Sequence, residues 1–137
     1  MSTEDNSLSD FTNFELTPAV ARGVAEAGFV APWPIQALTI PPALAGRDVL
    51  GLAQTGTGKT AAFALPILEQ LLADRGRGPR ALVLAPTREL AMQIDTEIRM
   101  LARFTKLSTV TVYGGVNASQ QIRALRRQPD IIVACPG

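Results

Sequence analysis

The chain has 137 residues, a formal net charge of +1 and an apolar fraction of 47%. Those values describe one globular domain with a real core and exclude a disordered chain or one with an overall basic field. The single cysteine, Cys135, excludes an internal disulfide, and the polar start "MSTEDNSLSD" carries no apolar signal segment, so a cytoplasmic location without a membrane span is expected.

Residues 1–10 are expected to form a loose tail. From Phe11 to Gly28 the apolar spacing (Phe14, Leu16, Val20, Val24, Ala27) predicts a short helix opened by Thr17 and Pro18 and closed by Gly28. "PWPIQALTIPPALAG" predicts short helical pieces divided by proline and ended by the "GRD" turn. Four aliphatic runs follow, "VLGLA" (49–53), "ALVLA" (81–85), "TVTVY" (109–113) and "IIVA" (131–134), with the look of strands buried on both faces. Helical stretches separate them. The first runs from Lys59 to about Ala73, with a kink expected at Pro66, and leads into the exposed loop "DRGRGPR". The second, from Thr87 to about Phe104, repeats apolar groups at Leu90, Ile94, Ile98 and Leu101, one helical face. The third starts at Asn117, with Gln120 placed to reciprocate the cap, and ends at Arg126 and Arg127, which suit the negative end of the helix dipole. Strand and helix alternate, so the expected fold is α/β: a parallel sheet flanked by helices, with right-handed crossovers.

Between the first run and the first helix lies "AQTGTGKT", residues 53–60. The phosphate-loop pattern G-x-x-x-x-G-K-[ST] is met by Gly58, Lys59 and Thr60, with Ala53 at the first glycine position. Ala53, Gln54, Thr55, Gly56, Thr57 and Gly58 would form the loop, whose glycines let backbone N–H groups turn inward at a helix start. Lys59 would reach the outer phosphates, and the Thr60 hydroxyl would sit on Mg²⁺. The alternative is a plain Gly/Thr turn joining strand to helix. Upstream, the Gln36 amide offers a donor and an acceptor together, the complement of adenine and not of guanine. Phe11 is a ring that could stack on such a base. The plainer reading of Gln36 is a first-turn glutamine with no ligand.

Together these stretches resemble the DEAD-box family of ATP-dependent RNA helicases. "GFVAPWPIQ" looks like that family's adenine-reading element, with Phe11 at the upstream aromatic position, 17 residues before Gly28. "AQTGTGKT" looks like its phosphate loop, in which alanine at the first position is normal. "PTREL" (86–90), "GG" (114–115) and "ACPG" (134–137) resemble the motifs that follow, in order. The resemblance covers residues 11–137 and implies an incomplete RecA-like ATP-binding lobe, with residues 11–39 as the adenine region and 40–137 as the start of the lobe proper. It implies ATP and Mg²⁺ as cofactors. It also implies sequence-independent contact with the backbone of single-stranded RNA through Pro86, Thr87, Arg88, Gly114, Gly115, Pro136 and Gly137. Without the resemblance, "PTREL" is a helix start and "GG" a tight turn, and Arg123, Arg126 and Arg127 are a solvated face. Two positions depart from the family: Trp33 replaces a threonine or serine and brings a bulky ring beside Gln36, and Cys135 replaces the threonine of "TPG".

Turnover of a bound nucleotide needs an acid at the carboxyl end of a later strand. The acids after Lys59 are Glu69, Asp74, Glu89, Asp95, Glu97 and Asp130; five fall on helices or loops, and Asp130 precedes its strand. The chain reaches Gly137 before the family's D-E-A-D segment. By resemblance the further strands lie inside the sheet, so exposed apolar edges and marginal folding are expected of this stretch alone. The reading is therefore the N-terminal portion of an ATP-dependent RNA helicase, unable by itself to hydrolyse ATP or unwind RNA. A non-catalytic module binding adenine nucleotide or RNA is the alternative. A small phosphotransferase ranks lower, because it leaves Phe11, Gln36 and "PTREL" unexplained.

Overall fold

A computed structural model describes residues 10–54, 56, 58–74 and 76–137. The predicted tail, Thr55 and Thr57 lie outside the described residues, apart from Asp10.

Phe11–Phe14 form a 3₁₀ turn, opened by the Asp10 carboxylate, which accepts from the Thr12 N–H. Glu15 then adopts φ 56°, and the helix predicted nearby, α1, spans Pro18–Glu26. Thr17 does not cap it through its side chain. Instead the Thr17 N–H and hydroxyl both donate to the Glu69 carboxylate, at 2.8 and 2.7 Å, which ties the start of α1 to the helix at Lys59. The pieces expected around the prolines are one helix, α2 (Pro34–Leu44), with Pro41 and Pro42 inside it. Both prolines stand in its last turn. They remove two donors there, but their carbonyls still accept from Ala45 and Arg47 at 3.1 Å, so the helix closes normally.

Helix α3 (Lys59–Ala73) runs unbroken through Pro66, which is buried with Ala61, Ala64, Leu65 and Leu68. Strand β1 (Ala81–Leu84), α4 (Arg88–Leu101), β2 (Thr109–Tyr113), α5 (Ala118–Arg126) and β3 (Ile131–Cys135) follow. Thr87 caps α4, accepting from the Leu90 N–H at 3.2 Å. Asn117 caps α5, accepting from the Ser119 N–H at 2.9 Å, and the reciprocal bond expected from Gln120 is not made. On α4, Ile94, Ile98 and Leu101 are buried as expected, whereas Leu90 is 37% exposed.

The sheet has three parallel strands in the order β1-β3-β2, with Leu84 opposite Ala134 and Tyr113 opposite Cys135. Its core joins Val83, Ile131 and Val133 to α3, α4 and Val20 and Val24 of α1. Asp130 pins the start of β3: one carboxylate oxygen accepts from Arg80 and the other from the Ser108 N–H, both at 3.0 Å. Two expectations need correction. The run 49–53 is not a strand, and Leu50 and Leu52 are about nine-tenths exposed, at 90% and 88%. A strand exists only where a neighbour completes its ladder, and no described segment pairs with that run or with the free edge of β1. Nor is β1 buried on both faces. Val83 packs inward, while Leu82 and Leu84, pointing the other way, are each 62% exposed.

Candidate functional site

The loop before α3 is shaped by one backbone conformation. Gly58 has φ 76°, and a Cβ there would stand 2.3 Å from Nε2 of Gln36, so the position accepts glycine alone. Gly58 is also the N-cap of α3 and has no side chain to cap it, so among the described residues no N-cap side chain takes up the first-turn N–H groups of α3, unlike those of α4 and α5. Uncapped donors, the positive end of a 15-residue helix and an adjacent lysine are the donor set a phosphate group requires. Lys59 is exposed and folds back so that Nζ donates to the Ala53 carbonyl at 2.6 Å, lying across the loop from its last residues to its first. Gly56 lines the same cleft, of ≈ 760 Å³, which passes Lys59, Thr60 and Phe63 and reaches Glu97 on α4 and Leu84 on β1. That volume lies within the range of ligand pockets.

Gln36 is fully buried and engaged at both ends of its amide. Oε1 accepts from the Trp33 N–H at 2.9 Å, and Nε2 donates to the Gly58 carbonyl at 3.0 Å. The residue read as adenine-recognising therefore joins the start of α2 to the loop before α3. Trp33 is half-exposed, and Gln36 keeps both of its hydrogen bonds beside the indole. Phe11, by contrast, is a core residue. It is 4% exposed and makes T-shaped contacts with Phe14 and Phe29, ring centroids 5.6 Å apart, so it packs among the rings that anchor the N-terminal segment.

Thr60 is half-buried, and its hydroxyl stands beside the carboxyl of Glu97. Burial pushes the Glu97 carboxyl above its ordinary value, and the Thr60 hydroxyl pulls the other way with less effect. Sequence reasoning placed Glu97 on a helix and passed over it. Its position three residues after Ile94, on the edge of the buried stripe of α4, was the available signal. Three other acids after Lys59 are occupied: Asp95 holds Arg99 and the Thr109 hydroxyl, Glu69 holds Thr17, and Asp130 holds Arg80. Among the described residues no group of His, Cys, Asp and Glu could hold a metal ion by itself.

The second set of predicted residues is brought together by the sheet. Parallel strands in the order β1-β3-β2 put their carboxyl ends side by side, and Pro86–Arg88, Gly114–Gly115 and Pro136–Gly137 are what leaves those ends. Pro86, Thr87 and Arg88 are exposed. A Cβ on Gly114 would stand 2.9 Å from the Gly137 carbonyl oxygen, and one on Gly115 would stand 3.7 Å from Nη1 of Arg88. All three elements thus meet within contact distance. The N–H of Leu90 is not free at this helix start, because Thr87 already accepts it, but the Thr87 hydroxyl hydrogen stays available.

The profile described as "DEAD/DEAH box helicase" matches residues 33–137. The chain is 49% identical over 127 residues to the DEAD-box ATP-dependent RNA helicase RhpA of Helicobacter pylori, covering 93% of this chain and 25% of that protein. It is 48% identical over 134 residues to the ATP-dependent rRNA helicase RRP3 of Candida glabrata, covering 98% of this chain and 27% of that protein. The crystal structure of the RNA-helicase Prp28 from Chaetomium thermophilum bound to ADP superposes with a TM-score of 0.86 at 40% identity, over 100% of this chain and 34% of that one. The chain therefore spans about a quarter of the length of the curated relatives it matches.

Proposed function

Because the chain belongs to the DEAD/DEAH box helicase family, we propose that it is the nucleotide-holding, RNA-contacting N-terminal portion of an ATP-dependent RNA helicase. Residues 11–39 serve as the adenine region and 40–137 as the beginning of the ATP-binding lobe. The observation that carries this reading is the Gln36 amide bonded to the Gly58 carbonyl, which makes the adenine region and the phosphate loop one unit. The uncapped start of α3 and Lys59 would hold the phosphates of ATP, and Thr60 would hold Mg²⁺. Magnesium would supply charge neutralisation at the outer phosphates. A cytoplasmic setting belongs to the same proposal and rests on the single cysteine.

The residues at the strand ends suit a nucleic acid backbone and not its bases. They offer a hydroxyl, a guanidinium and close-approaching glycine backbone, with no run of aromatic rings for stacking. RNA is therefore held without sequence preference. Turnover is not assigned to this stretch: Asp95, Glu69 and Asp130 are each committed to structural partners, and Glu97, though beside Thr60, stands on α4 and not at the carboxyl end of a strand. The test is a titration of the chain with fluorescent ADP and its GDP counterpart. Saturable binding that prefers ADP and is lost in Gln36→Ala is expected. Equal affinity for both nucleotides, or no binding, would sink the adenine reading.

A further inference from the structure

Tyr113, the last residue of β2, touches the residue with the most to offer a phosphate. The guanidinium carbon of Arg88 lies 4.5 Å from the centroid of the Tyr113 ring. Among the described residues no acceptor engages that guanidinium, so all its N–H donors are uncommitted.

We infer that Tyr113 is a positioning residue for the RNA grip, holding the Arg88 guanidinium by its face so that the in-plane N–H donors are presented to a backbone phosphate. The inference rests on the RNA reading proposed above. Its physical basis is a choice of partner. A guanidinium is planar, binds aromatic rings through its face and binds oxygen atoms through its edge. A carboxylate in the same place would consume the edge and cancel the charge, as Asp95 and the Thr109 carbonyl do for Arg99 in this chain. A ring fixes the side chain and leaves both edge and charge intact. It also removes in advance much of the rotamer freedom a long arginine would otherwise lose on binding.

The ring can do this because its own backbone is held on both sides. Tyr113 pairs opposite Cys135 in the β2–β3 ladder. On the outer edge of β2 the Gln121 side chain stands in for a further strand: its Oε1 accepts from the Tyr113 N–H at 3.0 Å and its Nε2 donates to the Tyr113 carbonyl at 2.9 Å. The platform is thus set by β2, β3 and α5 together, one residue before Gly114.

The experiment measures binding of a fluorescein-labelled oligouridylate to this chain by anisotropy at low salt. Tyr113→Val, which keeps a β-branched residue in the strand, is expected to weaken binding about three- to fivefold. Tyr113→Phe, which keeps the ring, is expected to bind within about twofold of the unsubstituted chain. In an Arg88→Ala background Tyr113→Val is expected to have no further effect, because the ring acts only through Arg88. A thermal melt accompanies each variant; if Tyr113→Val melts early, the ring-current shift of the Arg88 Hδ resonances in the unsubstituted chain and in Tyr113→Phe decides the matter, and its absence overturns the inference. Unchanged affinity in Tyr113→Val, or the same loss with Arg88 already removed, overturns the inference alone. No RNA binding by the unsubstituted chain removes the RNA reading and this inference with it.

Discussion

Gln36→Glu replaces one buried donor and leaves the shape of the site intact. In the native chain Nε2 donates to the Gly58 carbonyl at 3.0 Å while Oε1 accepts from the Trp33 N–H at 2.9 Å. A carboxylate keeps the second bond and turns the first into two oxygen atoms facing each other. The variant can fold in two ways. It can stay ionised, leaving the Gly58 carbonyl without its donor, which costs about 1–3 kcal/mol in addition to the burial of a charge. Or it can take up a proton and donate its carboxyl O–H to Gly58. That second route bounds the loss. An ordinary glutamate titrates near about 4.3 and each pH unit costs about 1.36 kcal/mol, so protonation at pH 7 costs about 3.7 kcal/mol. The expected destabilisation at pH 7 is therefore about 3–4 kcal/mol. It also has a sign with pH: the folded form raises the carboxyl value, so the loss is absent below the unfolded value and grows as pH rises through it. Urea unfolding followed by the fluorescence of Trp33, the only tryptophan, measures it directly at pH 5, 6 and 7. The loss should shrink by about 1.4 kcal/mol for each unit of acidification. A loss that does not change with pH, or one below about 1 kcal/mol at pH 7, would show that the Gln36–Gly58 bond does not hold the loop.

Glu97→Gln probes the opposite case, a native acid whose value is raised by burial beside Thr60. The penalty of keeping it ionised is absent below its ordinary value and fully present above the raised one. The variant should therefore melt higher than the native chain at pH 7 without nucleotide, and at the same temperature near pH 4; a lower melting temperature at pH 7 would refute this. Leu84→Lys places a charge on the open face of β1, where Leu84 is 62% exposed. Stability should stay within about 0.5 kcal/mol while the concentration at which light scattering begins rises. An unchanged scattering threshold would mean that the open face of β1 does not drive association.

Much of the site was legible because glycine, lysine and proline act locally. Gly58, Lys59 and Thr60 mark a loop and a helix start whatever surrounds them, and Thr87 and Asn117 cap the helices they were expected to open. The α4 stripe was readable for a similar reason: Ile94, Ile98 and Leu101 follow the period of the helix itself. What failed were inferences that needed a neighbour. "VLGLA" has the composition of a strand, but a strand is a property of a pair, and its partner is a matter of tertiary arrangement. The two prolines of α2 read as breaks, yet stand where a helix ends and costs little by losing donors.

By itself, then, the amino-acid order determined the class of fold, the glycine-rich turn before α3 and the residues that open each later helix, since these depend on backbone geometry within a few residues. Only the tertiary structure decided which side chains became a site. It turned Phe11 into the core, closed the Gln36 amide onto Gly58, set Glu97 beside Thr60, and brought Arg88, Tyr113 and Gly114 to one end of the sheet. Those contacts span 22 to 37 residues of chain, except the Phe11 pair with Phe29 at 18. No local propensity reaches that far; the parallel order of three strands does, because it gathers loops distant in sequence at their common carboxyl ends.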